Sequence, residues 1–405
     1  MATRSRIHRP KVLVFATMPP TPIDRGDKNR LYHILELLSK QAEVRLAFLE
    51  RDWDGARGPS GRHEMFSSES LPVKRSAVVG AGLAAIVSLR SYQALRYDIT
   101  GVRDFVTGQI AEFKPDVFWG FQISAYPFLK SSPEIYRVMD LVDSPSRHAA
   151  IALSDQHSSL RAKAMPFLNW RIGKYEKSAL DNCEKMLVSS VRDHEYLQKR
   201  YGDAGEISIL PNCVPDHLLE FKWRRRDTGL PTLLFVGNLD YQPNREAVKR
   251  FLFSIFPLLK ARFQGTSIRV VGAGGTKIAN LFNHAENVTF AGFVENLIDE
   301  YLAADALIAP LSVVTGSQYK ILEAMAVGLP VIASKVAGDA IGADAGRHLL
   351  TADSVEEYET ACSLLFADPV LAARISQSAR QFISNNYLWN GQIQIISEIL
   401  SEALA

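Results

Sequence analysis

Short apolar runs recur through the second half of the chain, and segments with helical spacing such as 245–263 separate them. The runs are apolar on consecutive positions and lie at 233–236, 268–271, 288–291, 306–309 and 331–333. Consecutive apolar residues are typical of strands that helices cover on both faces. Strands that alternate with helices predict a parallel, doubly wound α/β sheet.

The first half alternates in the same way but less regularly, with candidate strands at 12–17, 44–49, 117–120, 136–141, 186–189 and 207–210. A length of 405 residues fits two domains of about 150–200 residues each. We therefore predict two Rossmann-like, doubly wound domains that face an interdomain cleft. Ligands of open α/β sheets bind beyond the carboxyl ends of the strands, so the cleft is the expected site.

A polar stretch rich in arginine, glycine and proline predicts the boundary between the two domains. The predicted organisation is an N-terminal domain over 1–218, a linker over 219–231, a C-terminal domain over 232–386 and a C-terminal helix over 387–405.

Charge and cysteine content exclude several classes of protein. The net charge of +2 gives no chain-wide basic field, so nucleic acid is not an expected partner. Cys183, Cys213 and Cys362 lie far apart without a CxxC pair, which favours a reducing compartment over a zinc or disulfide framework. The apolar run 12–16 is too short for a signal peptide, and 77–89 is too short to span a bilayer, which needs ~20 residues. These features predict a cytoplasmic protein and leave peripheral contact with the inner face of the plasma membrane open.

The segment TGSQYKILEAMAVGLPVIAS, residues 315–334, carries the most specific pattern. Ser317 is a plausible N-cap, and Lys320 and Glu323 share one face of the following helix. A cation in the first turn opposes the helix dipole, whereas amides left accessible beside Gly316 attract phosphate. Glu323, one turn further on, could accept hydrogen bonds from ribose hydroxyls. The alternative interpretation is a surface Lys–Glu pair on an ordinary helix.

This segment resembles the C-terminal signature of retaining GT-B glycosyltransferases of the large group 1 (GT4-type) family, roughly G-x-x-x-K-x-L-E-A-M-A-x-G-x-P-V-V. The runs LLFVGNLDYQPNREAVKRF, RVVGAGG and VTFAGFVENLIDEYLAADALIAPL are similar to the flanking segments of that family. The N-terminal run PPTPIDRGDKNRLYHILELLSKQAEVRLAFLERDW is similar to a subgroup associated with exopolysaccharide and PEP-CTERM gene clusters, and LPNCVPD resembles the family's interdomain turn. The resemblance covers nearly the whole chain.

The resemblance implies roles for individual residues, most of them in the C-terminal half. Glu323 would bind the ribose of a sugar nucleotide, and Lys320 would bind its diphosphate. Gly237 and Asn238 match a Gly-Arg pair, with asparagine in place of arginine, and Thr315 stands where the first glutamate of a Glu-x7-Glu pair would be. The remaining donor-site candidates are Gly316, Ser317, Arg245 and Gly26 for phosphate, and Gly272, Phe293 and Val294 for the nucleotide.

Two glycine-containing loops are further candidates. The turn at 270–275 follows a strand but lacks the third glycine of GxGxxG, so it predicts a tight turn that lines the nucleotide pocket rather than a NAD site. The loop at 26–30 leads into a helix that Asp27 could cap. The resemblance implies instead that this loop lies beside the donor phosphates and the acceptor.

A group of titratable residues follows the strand at 136–141, namely Asp140, Asp143 and His148. Carboxylates near a cleft could act as a base or orient one, and they could equally cap the next helix. Their spacing matches no fixed metal-ligand pattern, and the resemblance implies an enzyme that needs neither a metal nor another cofactor.

Basic residues with interleaved aromatics occur at 158–177 and around the apolar segment in 74–96. Such segments suit an anionic bilayer surface, and they are equally compatible with core-facing apolar residues beneath a solvated basic face. The resemblance also implies that the C-terminal helix crosses back to the N-terminal domain.

The sequence therefore predicts a retaining, metal-independent hexosyl- or related glycosyltransferase. It would move sugar from a nucleotide-sugar donor, held by the C-terminal domain, to a glycan, lipid-linked or other acceptor held by the N-terminal domain. Polysaccharide or glycoconjugate biosynthesis in a bacterium is the expected setting, and Asp143, Asp27 and His148 are the candidates for acceptor activation. Two alternatives stay open: a non-catalytic sugar-nucleotide-binding protein of a polysaccharide complex, and a sugar-nucleotide epimerase on the same fold.

Overall fold

The chain divides into two units, each built on its own sheet. Unit 1 comprises Met1–Pro211 and Gln392–Ala405, and unit 2 comprises Asn212–Gly391. The computed structural model describes residues 9–23, 25–52, 61–62, 65–87, 91–154, 160–202, 205–225, 231–282, 285, 287–314 and 318–405.

The described part of unit 1 contains an eight-stranded sheet with the order β3-β4-β2-β1-β5-β6-β7-β8. Its strands are β1 (Lys11–Ala16), β2 (Glu43–Arg51), β3 (Gly61–Arg62), β4 (Ser67–Val73), β5 (Val117–Phe121), β6 (Tyr136–Val142), β7 (Lys185–Val188) and β8 (Ile207–Ile209). Neighbouring strands pair in parallel except β3 and β4, which are antiparallel. The strand order reverses between β1 and β5, which makes their carboxyl ends the topological switch point of this sheet.

Helices link these strands. They are α1 (Gly26–Gln41), α2 (Arg75–Val87), α3 (Tyr92–Leu95), α4 (Thr100–Phe113), α5 (Tyr126–Leu129), α6 (Pro145–Ser154), α7 (Leu160–Asn182) and α8 (Val191–Tyr201). Val12, Leu13, Val14 and Phe15 of β1 are all fully buried. Because successive side chains of a strand point to opposite faces, both faces of the sheet are covered at this position.

Unit 2 contains, among its described residues, a six-stranded sheet with the order β11-β10-β9-β12-β13-β14. Its strands are β9 (Thr232–Val236), β10 (Ser267–Val271), β11 (Val288–Gly292), β12 (Ala306–Ala309), β13 (Val331–Ala333) and β14 (Leu350–Thr351), all paired in parallel. Numbered within the unit, the order is 3-2-1-4-5-6, the Rossmann order, with its switch point between β9 and β12.

The helices of unit 2 follow its strands in sequence. They are α9 (Gln242–Arg250), α10 (Phe256–Arg262), α11 (Thr276–Leu281), α12 (Leu297–Leu302), α13 (Tyr319–Val327), α14 (Lys335–Ala340), α15 (Val355–Ala367) and α16 (Pro369–Asn386). A π-helical turn, Phe251–Ile255, joins α9 to α10.

Helix α13 follows the first strand beyond the switch point. Its N-cap is Gln318, one residue after the serine at which the sequence predicted the cap, and Ser317 itself lies outside the described residues. Ile321, Leu322 and Met325 are fully buried and anchor the helix against the sheet. Gly328, with a φ of +87°, ends it in the left-handed conformation that glycine adopts without strain.

The prediction of one helix over 387–405 is wrong in its start. The helix α17 covers Ile393–Ala403, and a short 3₁₀ helix, Asn390–Gln392, directly precedes it. Val214 N donates to the carbonyl of Tyr387 at 2.8 Å, and Leu388 forms a parallel bridge with Val214. Because the carbonyl of Tyr387 accepts from Val214, it does not accept from a helix that continues into α17. Helix α17 belongs to unit 1, where Ser397 Oγ donates to Gln41 Oε1 at 2.9 Å.

The domain limits differ from the predicted ones, since the units meet in sequence at 211/212 and 391/392 rather than at 218/219 and 386/387. The described start of the predicted linker packs on unit 2: Trp223 Nε1 donates to the carbonyl of Ala304, and Trp223 N donates to that of Val327, both at 2.7 Å. Of the described helices, none is long and apolar enough to cross a bilayer.

Candidate functional site

The end of β9 packs closely against its neighbours at two glycines. Gly272, which follows β10, has a φ of +141°, and a Cβ built on it would lie 2.1 Å from the carbonyl oxygen of Gly237. A Cβ on Gly237 would lie 3.0 Å from Nζ of Lys320 and 2.8 Å from Nδ2 of Asn244. Only glycine leaves room for these contacts, so bare backbone lies at the carboxyl ends of β9 and β10.

Lys320, in the first turn of α13, points its ammonium at this bare backbone. The residue is 8% exposed, and its Nζ donates to Oδ1 of Asn244 at 2.6 Å. The same Nζ lies 4.8 Å from the ring centroid of Phe235, a cation–π distance. Burial lowers the pKa of Lys320 to about 7, and the carboxylate of Glu323 offsets part of that shift.

Glu323 lies one turn further along α13 and is partly buried. Tyr301 of α12, itself fully buried, donates from Oη to Oε2 of Glu323 at 2.8 Å. Burial raises the pKa of Glu323 to about 7, against the opposing effects of Tyr301 and Lys320. The switch point of unit 2 therefore presents an ammonium and a carboxyl, which suits a ligand that carries both an anion and hydroxyl groups.

The other predicted donor residues line neighbouring loops of unit 2. Oδ1 of Asn238 accepts from the backbone N of Asp240 at 2.8 Å. The guanidinium of Arg245 donates to the carbonyls of residues 239 and 240, both at 3.3 Å. In the loop after β11, Phe293 is 68% exposed and Val294 packs against the core. Thr315, Gly316 and Ser317 lie outside the described residues.

Two contact residues of this site, Asn244 and Tyr301, were not among the sequence predictions. Asn244 lies 76 residues before Lys320, and Tyr301 lies 22 residues before Glu323. Both lie in runs that resemble the family, 233–251 for Asn244 and 288–311 for Tyr301. That resemblance is a signal that could have drawn attention to them.

The candidate residues of unit 1 lie beyond the carboxyl ends of its strands. Asp143 follows β6, where its Oδ1 accepts from Oγ of Ser189 at 2.6 Å and its Oδ2 lies 3.7 Å from Nε2 of His148. Burial raises the pKa of Asp143, and the charge of His148 opposes that shift. The structure thus brings Asp143 and His148 within ion-pair distance, although 3.7 Å is longer than a hydrogen bond.

Gly26 and Asp27 form the start of α1, whose N-cap is Arg25. The carboxylate of Asp27 accepts from Nη2 of Arg25 at 3.1 Å and from Nε2 of Gln122 at 3.3 Å. Asp27 is therefore not the N-cap of the helix; its carboxylate instead connects α1 to the residue that follows β5.

Two residues at these strand ends hold strained backbone conformations. Gln122 has a φ of +65° and Val142 a φ of +68°, values that are rare for residues other than glycine and exceptional for a β-branched one. Val142 immediately precedes Asp143, and Gln122 contacts Asp27. Such strain costs of order 1–3 kcal/mol per residue and clusters at functional sites.

Asp140 has a structural role, which removes it from the candidate bases. Its carboxylate forms a fully buried, bidentate pair with the guanidinium of Arg30, whose Nη1 donates to the carbonyl of Leu210 at 2.7 Å. Over the described ranges, no group of three or more His, Cys, Asp or Glu side chains could hold a metal ion.

Part of unit 2 matches a known protein family. Residues 230–368, which contain the described residues of this site, match the family model of group 1 glycosyl transferases. The predicted fold class is confirmed, because two parallel-sheet, Rossmann-like units have GT-B glycosyltransferases as structural neighbours. The matched residues lie within unit 2, and no residue of unit 1 is part of the match.

Particular proteins resemble the chain over most of its length. Glycogen synthase of Mycobacterium tuberculosis is 25% identical over 312 residues, which cover 71% of this chain and 69% of that protein. Sucrose-phosphate synthase from Thermosynechococcus elongatus has a TM-score of 0.75 at 15% identity, over 98% of this chain and 99% of that one. Anabaena HepE in complex with UDP-glucose has a TM-score of 0.66 at 14% identity, over 97% and 100% of the two chains.

Proposed function

We propose that this chain is a retaining, metal-independent glycosyltransferase that moves a hexose or related sugar from a nucleotide-sugar donor to a hydroxyl of a glycan or lipid-linked acceptor. Unit 2 binds the donor and unit 1 binds the acceptor. The observation that carries this proposal is the pairing of Lys320 and Glu323 on the first turns of α13, beside the bare backbone of Gly237 and within the family match.

The donor is proposed to bind with its diphosphate against Lys320 and its ribose against Glu323. Bare backbone at Gly237 and Gly272 lets the diphosphate approach the ends of β9 and β10. Tyr301 holds Oε2 of Glu323, so Oε1 is the oxygen that a ribose hydroxyl would meet. An anion beside the ammonium favours its charged form, so donor binding raises the pKa of Lys320 again.

In the proposed reaction, the bond between the anomeric carbon and the diphosphate oxygen breaks, and the acceptor oxygen bonds to the same carbon with retained configuration. Negative charge builds on the leaving diphosphate, and the buried Lys320 ammonium stabilises it in a low-dielectric environment. The acceptor hydroxyl loses its proton, and Asp143 with His148, or Asp27, would take it. The resembling family has a glutamate where this chain has Thr315, so the proposed contact of the transferred sugar with that carboxylate has no counterpart here.

The setting we propose is bacterial polysaccharide or glycoconjugate biosynthesis, with unit 1 in peripheral contact with the inner face of the plasma membrane. The resemblance of the N-terminal run to the exopolysaccharide-associated subgroup supports the pathway. On α7, Phe167 and Trp170 are exposed and stacked, and Nζ of Lys174 lies 3.8 Å from the centroid of the Trp170 ring, which supports the membrane contact. Co-sedimentation with phosphatidylglycerol vesicles tests it: Trp170→Ala should weaken binding, and equal binding by wild type and variant would contradict it.

A screen of UDP-, GDP-, dTDP- and CMP-sugars tests the proposed function. Thermal shift reports binding, released nucleotide reports turnover, and NMR of the product reports the anomeric configuration. We expect one donor to stabilise the wild type and to be turned over, and Glu323→Ala and Lys320→Met to lose both effects. Binding without turnover in the presence of candidate acceptors would favour the non-catalytic binding protein. An epimerised free sugar nucleotide would favour the epimerase.

A further inference from the structure

The side-chain amide of Asn244 bridges two parts of the candidate donor site. Its Nδ2 donates to the carbonyl of Asn238 at 3.0 Å, and its Oδ1 accepts from Nζ of Lys320 at 2.6 Å. These partners fix the orientation of the amide, because a carbonyl needs a donor and an ammonium needs an acceptor. Asn244 is 8% exposed, so the amide is a buried link between the end of β9 and the first turn of α13.

The ammonium of Lys320 is enclosed on several sides. The Cβ position of Gly237 lies 3.0 Å from Nζ, and the ring of Phe235 lies beneath it. An ammonium carries three donor protons, and the bond to Asn244 uses one of them. The bond fixes the direction of the remaining protons relative to the carboxyl end of β9, where an anion would bind.

We propose that Asn244 is a positioning residue for the donor: its amide holds the Lys320 ammonium at the end of β9 without neutralising it. This inference rests on the proposed function, since it takes the bound anion to be the diphosphate of a nucleotide sugar. A carboxylate at this position would pair with the ammonium and compete with phosphate oxygens. An apolar side chain would leave the buried ammonium without a fixed acceptor.

Other charged and titratable groups lie on α13, on helices that contact it and on the elements that follow β9, and the variants proposed below retain all of them. They are Glu323 on the same helix, Tyr301 on α12, Arg245 on α9, Asp240 in the loop after β9, and Arg380 on α16, which contacts the far end of α13. A difference in donor affinity between the wild type and a variant at 244 is therefore caused by the loss of the amide.

Two substitutions test the proposal, because they should shift in opposite directions the pH at which donor affinity falls on the alkaline side. The probe is the nucleotide sugar that gives wild type its largest thermal shift, and its affinity is measured between about pH 5.5 and 8.5, where a diphosphate diester stays ionised. In Asn244→Asp, the new carboxylate favours the charged ammonium, so the loss of affinity at alkaline pH should move to higher pH. Affinity near pH 7 should fall on the order of tenfold, because the ion pair competes with the diphosphate. In Asn244→Ala, the ammonium loses its acceptor, so the alkaline loss should move to lower pH.

Asn385→Asp makes the same chemical change at an exposed position of α16 and should leave both affinity and pH profile unchanged. Circular dichroism and thermal melting confirm that each variant folds. If Asn244→Ala does not fold, Asn244→Asp alone tests the positioning role, through the shift to higher pH of its loss of donor affinity. If the wild type binds donor and both folded variants show the same pH profile as the wild type, the positioning role of Asn244 is overturned and the proposed function is not. A wild type that binds no sugar nucleotide would overturn the proposed function together with it.

Discussion

Burial shifts the pKa values of Lys320 and Glu323 in opposite directions. Burial lowers the pKa of the lysine to about 7 and raises that of the glutamate to about 7. Each group therefore costs folding free energy in its charged form, and a ligand that pairs with both would recover that cost. At the scale of single residues, the unliganded site is destabilised in a way that favours ligand binding.

Donor affinity should peak near pH 7. Below that pH Glu323 takes up a proton, and a neutral carboxyl accepts from ribose more weakly than a carboxylate does. Above it Lys320 loses the proton that attracts diphosphate. Each limb should fall by up to about tenfold per pH unit, since one proton is linked to binding. Titration calorimetry of the donor against pH measures this. Glu323→Gln should abolish the acid limb and keep the alkaline one, and an unchanged acid limb in that variant would contradict the assignment.

Glu323→Gln should also stabilise the unliganded protein at alkaline pH. The folded pKa of Glu323 is about 7 against 4.5 for the free side chain, so ionisation penalises the folded state in full above about pH 7. The penalty vanishes below the free value, where both states are protonated. The free energy of unfolding at about pH 8 should rise by about 1–3 kcal/mol, with no difference near pH 4. Glu195→Gln, at an exposed position of α8, should show no such pH dependence; equal effects at both pH values would contradict the burial argument.

The elements of the site depend on glycines that allow close approach. At Gly237 the backbone needs no special conformation, and the requirement is for space beside Asn244 and Lys320. At Gly272 a positive φ adds to the spatial requirement. At the ends of β9 and β10, the residue type is therefore determined by the side chains and backbone that pack there as much as by strand propensity.

Gly237→Ala should weaken donor binding because the new methyl group displaces the Lys320 ammonium and the Asn244 amide. We expect a loss of affinity of about tenfold or more, measured by titration calorimetry at about pH 7. Gly101→Ala provides the control, since nothing lies within 4 Å of its Cβ position in α4. That variant should bind donor as the wild type does, with a gain in stability of up to about 1 kcal/mol from helix propensity. Normal affinity in a folded Gly237→Ala variant would contradict the placement of the site.

Periodicity predicted most of the elements but not their interruptions. Runs of consecutive apolar residues located the strands of unit 2, because both faces of that sheet are covered. The helical spacing over 245–263 did not show the π-helical turn before Pro257, where a ring that lacks an N–H interrupts the helical hydrogen bonds. The bridge of Leu388 before α17 was missed for a related reason, since its partner, Val214, is remote in sequence.

At the scale of the whole molecule, the sequence predicted two Rossmann-like units and the helix that carries Lys320 and Glu323. It could not reveal the contacts of Asn244 and Tyr301 or the strained conformations of Gln122 and Val142. Hydrogen bonds between distant residues and tertiary packing impose those features, and local sequence does not encode them. The family match covers the donor-side residues of unit 2, whereas the candidate residues of unit 1 lie outside it.

A substitution at a candidate residue of unit 1 should therefore reduce sugar transfer without changing donor affinity. Asp143→Asn should leave donor affinity within about twofold of wild type while reducing sugar transfer by about 10²–10⁴-fold, the usual contribution of a general base. Calorimetry and product formation measure the two quantities on one preparation. Asp104→Asn, at an exposed position of α4, is the matched control and should retain both. Undiminished transfer by Asp143→Asn would exclude Asp143 as the acceptor base.

The measurement that tests the central claim most directly is a crystal structure with the nucleotide sugar that stabilises the wild type. We expect the diphosphate within hydrogen-bond distance of Nζ of Lys320, and ribose hydroxyls on the carboxylate of Glu323, at the carboxyl ends of β9 and β12. A nucleotide bound elsewhere on the chain, with Lys320 and Glu323 contacting none of its atoms, would contradict the claim.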